Sequence, residues 1–199
     1  MSDDRMQRRA LAWALLADEA VQNKLTDLQS KAFGAESRTS RPVPAADLAK
    51  LGTLESPIAV NGIYGQTAYL SLLRTESGLP FAFHRLSSHS GHDNSRVDLF
   101  ELVSVDGAAR TEVYVDRYYR SRTRQAPMGL KLASDFLPEC PIFGTGKCVS
   151  GFPSGIADAA RQWQRLHYDF EFPVTILEQL ERRVYGHTSP FHEGMSVSY

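Results

Sequence analysis

The sequence predicts an α+β fold, an antiparallel β-meander of at least four strands packed with a long N-terminal helix and two C-terminal helices. Three observations carry that expectation. Apolar residues recur at helical spacing near both ends of the chain, they alternate with period two through the middle, and Gly-containing turn sequences separate the alternating runs. Strands grouped together, with helices before and after them, give α+β with the helices on one face of the sheet.

The first element is a helix over residues 3–33. No Gly or Pro interrupts it, and Met6, Ala10, Trp13, Ala17, Val21, Leu25, Leu28 and Ala32 fall at steps of three or four, which is one helical face. Asp3 and Asp4 suit its positive end, Lys31 its negative end, and Gly34 a left-handed cap. The polar stretch Gln22–Lys24 is the place for any break. Residues 34–57 turn to Ser, Thr, Arg and Pro and read as a connection, with one short helix over Pro44–Lys50.

The sheet is expected over residues 58–119. Ala68, Leu70 and Leu72 alternate with Tyr69, Ser71 and Leu73, Phe81 and Phe83 flank Ala82, and Val97, Leu99, Val103 and Val105 make a third run. Val113 and Val115 make a fourth. Ser77-Gly78, the polar run Ser87–Ser95 and Asp106-Gly107 are the turns, the last being a strong hairpin signal. Connections this short imply antiparallel neighbours, since a parallel crossover needs a dozen or more residues. Residues 120–153 are loop-rich, with a short helix near Leu130–Phe136. Two helices over 154–186 follow, the first capped by Ser154 and faced by Ile156, Ala160, Trp163 and Leu166 or His167. The second opens at Pro173 and presents Val174, Leu177, Leu180 and Val184. A tail, 187–199, completes a single domain spanning 1–199.

With 42% hydrophobic, 10% aromatic and 23% charged residues in 199, the chain can bury a core without disulfide staples. A net charge of -1 gives no global field for polyanions. The charged start of the chain lacks a compact apolar segment with a cleavage site, and no run approaches the roughly 18 apolar residues of a membrane span. The expectation is therefore a cytoplasmic protein, not inserted in a membrane, with Cys140 and Cys148 as reduced thiols.

Two groups of residues can carry function. His84, His89, His92 and Asp93, at a strand end and the turn after it, are the ligand types for a divalent ion such as zinc, although their spacing matches no established site. Otherwise they are incidental members of a solvated loop. Arg117, Tyr118, Tyr119, Arg120, Arg122 and Arg124 form the concentrated positive segment. Arginine forks suit phosphate or carboxylate, and tyrosine faces suit stacking, but neighbouring acids can also consume the charge. Gly144-Thr145-Gly146-Lys147 lacks the glycine and the Ser/Thr that a phosphate-binding loop requires. Neither the cysteines nor Ser154 sits in a nucleophile signature. Phe81, Phe83, Trp13 and Trp163 read as core. Tyr64, between Gly62 and Gly65, marks close backbone approach or a turn.

The leading functional reading is a non-enzymatic interaction module that contacts a protein or a phosphate-bearing partner through the sheet edge and Arg117–Arg124, and needs no cofactor. The alternative is a metal-dependent or acid/base hydrolase centred on His84, His89, His92 and Asp93. The third reading is nucleic-acid binding through Arg117–Arg124.

Overall fold

The computed structural model describes residues 18–33, 43–45, 47–91, 95–134, 144–158 and 174–185. In chain order these form helix α1 (Glu19–Phe33), strand β1 (Ile58–Ala59), helix α2 (Gly62–Leu72), β2 (Leu73–Thr75), β3 (Phe81–Ser90), β4 (Arg96–Ser104) and β5 (Arg110–Asp116). β6 (Leu130–Leu132), β7 (Gly144–Thr145) and helix α3 (Val174–Tyr185) follow. The architecture is α+β. Among the described residues no helix is long and apolar enough to cross a membrane.

The centre of the sheet follows from local sequence. β3, β4 and β5 are consecutive antiparallel neighbours, and the β4–β5 hairpin turns at Asp106-Gly107. Gly107 takes a φ of 76°, which a side chain would strain, and the Asp106 carboxylate accepts hydrogen bonds from Ser104 Oγ and the Ala108 N–H. The sheet as a whole is mixed, not purely antiparallel. Its order is β1-β5-β4-β3-β7, with β1 parallel to β5 and β7 parallel to β3. Both rims are supplied by segments distant in sequence, so the expected four-strand meander is a three-strand one with parallel additions.

The run Ala68–Leu73, expected as a strand, belongs mainly to α2. Its neighbours explain why alternation misled: Gly65, Gln66, Ala68, Tyr69, Leu70, Ser71 and Leu72 are all buried, and a helix buried nearly all round shows no single face. The strand that follows it, β2, pairs with β6 in a separate two-stranded sheet. That pairing replaces the short helix expected over Leu130–Phe136, of which Asp135 and Phe136 lie outside the described residues. Pro44–Lys50 is likewise not helical where described: residues 48–50 form a turn, with the Asp47 carboxylate accepting the Ala49 N–H. Ser87–Ser90, expected in a loop, continue β3 beyond a bulge at Leu86.

Helices cover both faces of the sheet, not one. Phe81, Phe83, Phe100, Leu102, Val113 and Val115 pack with Tyr69 and Leu70 of α2, with Leu51 and with Ile58. Ala82 and Val103, on the opposite face, pack with Phe152, Ile156, Ala157 and with Leu177 and Leu180 of α3. The first of the two C-terminal helices is described only as Ile156–Asp158. Ser154 sits in the turn before it, and the buried Glu181 carboxylate of α3 accepts the Ala157 N–H, doing from a distance what the local serine was expected to do. Residues 159–173 and the tail 187–199 lie outside the described residues.

α1 runs unbroken through Gln22–Lys24, the stretch named as the place for any break. The Asp18 carboxylate accepts the Ala20 N–H at 2.7 Å and starts the helix. The earlier part of the expected helix, 3–17, lies outside the described residues.

Candidate interaction surface

Beyond β5 the chain stays extended and folds back beside β1. The N–H of Tyr119 donates to Val60 O and that of Thr123 to Ala59 O, while Thr123 Oγ1 accepts the Ala59 N–H. Tyr119 is buried, and Asn61 and Tyr118 form an isolated bridge. This path carries the arginine segment from the sheet to the start of α2, where it meets α1.

The arginines are distributed between two sets of acids. Arg117 lies 3.5 Å from the fully buried Asp98, which also accepts a hydrogen bond from Ser88 Oγ and has Arg85 at 3.7 Å. The other three turn to α1. Arg120 is 3.5 Å from Asp27, and the Glu19 carboxylate lies between Arg122 at 3.3 Å and Arg124 at 2.6 Å. Asn23 Nδ2 donates to Arg120 O, and Ser121 Oγ donates to Glu19 Oε2. Glu19 Oε1 reaches both arginines without hydrogen-bond geometry to either, so the contact is ionic more than directional. Burial, then the like charge of Arg124, pulls the Arg122 pKa below the usual guanidinium value; Glu19 and Tyr69 oppose this. Burial raises the Tyr69 phenol well above its ordinary range, and its hydroxyl donates to Gln125 O at 2.5 Å, which anchors the end of the segment to α2.

The contact between α1 and α2 depends on two glycines. A β-carbon on Gly62 would stand 2.6 Å from Thr26 Cγ2 of α1, and one on Gly65 would stand 2.8 Å from Asn61 Cγ and 3.3 Å from Gln22 Oε1 of α1. The close backbone approach expected around Tyr64 is thus an approach by α1. Among the described side chains of α1, Gln22 and Thr26 are the buried ones, and Asn61 Nδ2 donates to the Glu19 carbonyl.

The histidine group is built differently from its sequence expectation. His84 is buried opposite Glu101, its Nε2 at 2.9 Å from Glu101 Oε2, while its Nδ1 accepts the Val149 N–H at 3.0 Å. An accepting Nδ1 fixes the Nε2–H tautomer. Both ring nitrogens are used, the ring stacks on Phe152 at 4.1 Å, and burial lowers its pKa against the raising influence of Glu101. Glu101 also pairs with Arg110. His84 therefore has no free lone pair for a metal. His89 lies further along β3, with its Nε2 2.7 Å from Ser87 Oγ and its ring edge-on to Tyr114. His92 and Asp93 lie outside the described residues, and among the described residues no group of three or more His, Cys, Asp or Glu is placed to hold a metal ion.

Gly144-Thr145 is the rim strand β7, so the phosphate-loop resemblance has no strand-to-helix turn behind it. Cys148 is exposed as a free thiol, and Cys140 lies outside the described residues. A cleft of about 180 Å³ opens where β1 and β5 end, lined by Leu51, Pro57, Val97, Asp116, Tyr119 and Thr123 among others. Its volume falls below the roughly 300 Å³ at which small-ligand pockets begin.

Sequence reasoning missed Glu19, Asp27, Gln22 and Thr26, which complete the arginine surface. Acids eight residues apart on one helix face were the available signal. No protein-family model matches this chain, and no curated protein or solved structure matches it either.

Proposed function

We propose that this protein is an interaction module that binds an acidic surface of another protein through Arg117–Arg124, chiefly Arg120, Arg122 and Arg124. The observation that supports it is the Glu19 carboxylate lying between Arg122 and Arg124, an internal example of the ligand chemistry the segment accepts. Arg120 and Arg124 remain 54% and 65% exposed beside α1, so part of the row faces solvent. A phosphate group presents similar chemistry to the same forks. The cytoplasmic setting belongs to the same proposal and is supported by the free thiol of Cys148.

The test is selection of displayed peptides on the immobilised protein, beside an Arg120→Ser, Arg124→Ser variant. Both side chains are more than half exposed, so losing their pairs with Asp27 and Glu19 loosens α1 at most, and circular dichroism checks that the rest of the fold is retained. Acidic peptides enriched by the native protein and lost from the variant support the reading. Equal enrichment on both overturns it. If nucleic acid is the partner instead, affinity falls steeply with salt and acidic peptides do not compete.

A second reading, hydrolysis, is favoured by one observation, the Ser87–His89 pair at 2.7 Å, since a hydroxyl hydrogen-bonded to imidazole is the first requirement of an activated nucleophile. Two apart in β3, Ser87 and His89 share one face of the strand. Labelling of Ser87 by a fluorophosphonate, abolished by His89→Ala, would establish it. An unlabelled Ser87 removes it.

A further inference from the structure

Resting on the interaction reading above, we infer that α1 occupies the partner's own seat, so that the protein binds an acidic helix of another protein in exchange for α1. The seat is the surface formed by the first turn of α2 and residues 120–124. The described contacts of α1 with it are polar: Glu19 to Arg122 and Arg124, Asp27 to Arg120, Asn23 to the Arg120 carbonyl, and Gln22 and Thr26 towards Gly65 and Gly62. Among the described side chains of α1, no apolar one is fully buried. Val21 and Leu25 are half-buried, and Leu28 is 64% exposed. Helices held permanently bury an apolar stripe, whereas the described contacts of this one are charge pairs and close fit.

The same contacts specify the replacement. Glu19, Gln22, Thr26 and Asp27 stand at i, i+3, i+7 and i+8, which is one helical face. A competing helix needs a carboxylate for the Arg122–Arg124 pair and a second for Arg120. Between them it needs a side chain no bulkier than Thr where Gly62 leaves room. A tethered helix competes at an effective concentration on the order of millimolar, so a partner gains apparent affinity whenever α1 is loosened.

The experiment uses a fluorescein-labelled peptide spanning 18–33, which carries its own Asp18 cap. It is titrated against the native full-length chain and against the full-length Glu19→Gln, Asp27→Asn variant, whose own α1 is weakened and whose fold is checked by circular dichroism. We expect binding at least tenfold tighter to the variant than to the native chain, weakened by salt. A peptide carrying the same two neutral substitutions should bind neither. Hydrogen exchange on the native chain gives a readout independent of the variant: α1 amides should lose protection when the peptide is added in excess. Binding without that loss, or equal binding of the neutral peptide, overturns the exchange. If library-selected acidic peptides bind through Arg120 and Arg124 while α1 amides stay protected, the interaction reading stands and only the exchange falls. If no acidic peptide binds either protein, both fall.

Discussion

Replacing Gly62 by alanine probes the seat of α1 most directly. Two costs combine. Gly62 has a φ of 80°, where a side chain costs roughly 1–2 kcal/mol. The new β-carbon would also stand 2.6 Å from Thr26 Cγ2 and 2.9 Å from Thr26 Cβ. Thr26 cannot readily turn away, because it is β-branched and its Oγ1 donates to the Gln22 carbonyl at 2.8 Å. Overpacking of this kind costs about 1–3 kcal/mol, so Gly62→Ala should destabilise the protein by roughly 2–5 kcal/mol. Thr26→Gly removes the overlapping atoms and leaves the backbone strain. In the double variant the packing part should therefore return, giving a coupling energy of about 1–3 kcal/mol in a four-protein cycle of urea midpoints. α1 can also detach before the rest unfolds, and exchange of its amides reports the same cycle in that case. Effects that add to within about 0.5 kcal/mol by both measures would refute the close packing of α1 on Gly62.

Glu101→Ala should cost about 1–3 kcal/mol by leaving the buried His84 Nε2–H without an acceptor, while Glu101→Gln, which keeps a carbonyl, should cost less; chemical denaturation distinguishes them. Loss of the Arg110 pair adds little, since that side chain is 57% exposed. The lowered pKa of His84 sets the sign of a pH effect: its unfolded form, near 6.5, takes a proton more readily than the folded form. Stability from the neutral ring is thus complete above that value and declines as pH falls below it. His84→Gln should flatten the melting temperature between about pH 7.5 and 5.5. Cys148, exposed and free, should react with iodoacetamide in the native protein at one equivalent per site, read by peptide mass; an unreactive Cys148 would contradict its exposure.

The hairpin of β4 and β5 was legible because Val97 to Val105 and Val113 to Val115 alternate on either side of Asp106-Gly107. α2 was not, because Ala68, Leu70 and Leu72 satisfy period two as well as a helix buried all round does. β1 and β7 are two residues long and leave no pattern. Their parallel pairings, Ile58 with Val115 and Phe83 with Gly144, depend on segments far apart in sequence. The candidate site divides in the same way. Arg117–Arg124 is visible as composition, yet the acids that engage it, Glu19 and Asp27, lie on a distant helix. The pairing of His84 with Glu101 follows from strand register, which the bulge at Leu86 disturbs further along.

The short rims of the five-stranded sheet bear on self-association. An exposed edge is a template on which a second copy can add a strand, and long, regular, apolar edges are the hazardous ones. Here β7 offers two residues as template, and the outer side of β1 is already engaged, with Ala59 O accepting the Thr123 N–H and the Ala59 N–H donating to Thr123 Oγ1. Where β3 continues past β7, the rim carries Ser87, Ser88, His89 and Ser90 behind a bulge, a polar and twisted stretch. Among the described residues, the rims of this sheet are thus poor starts for a second copy, so its geometry disfavours stacking edge to edge.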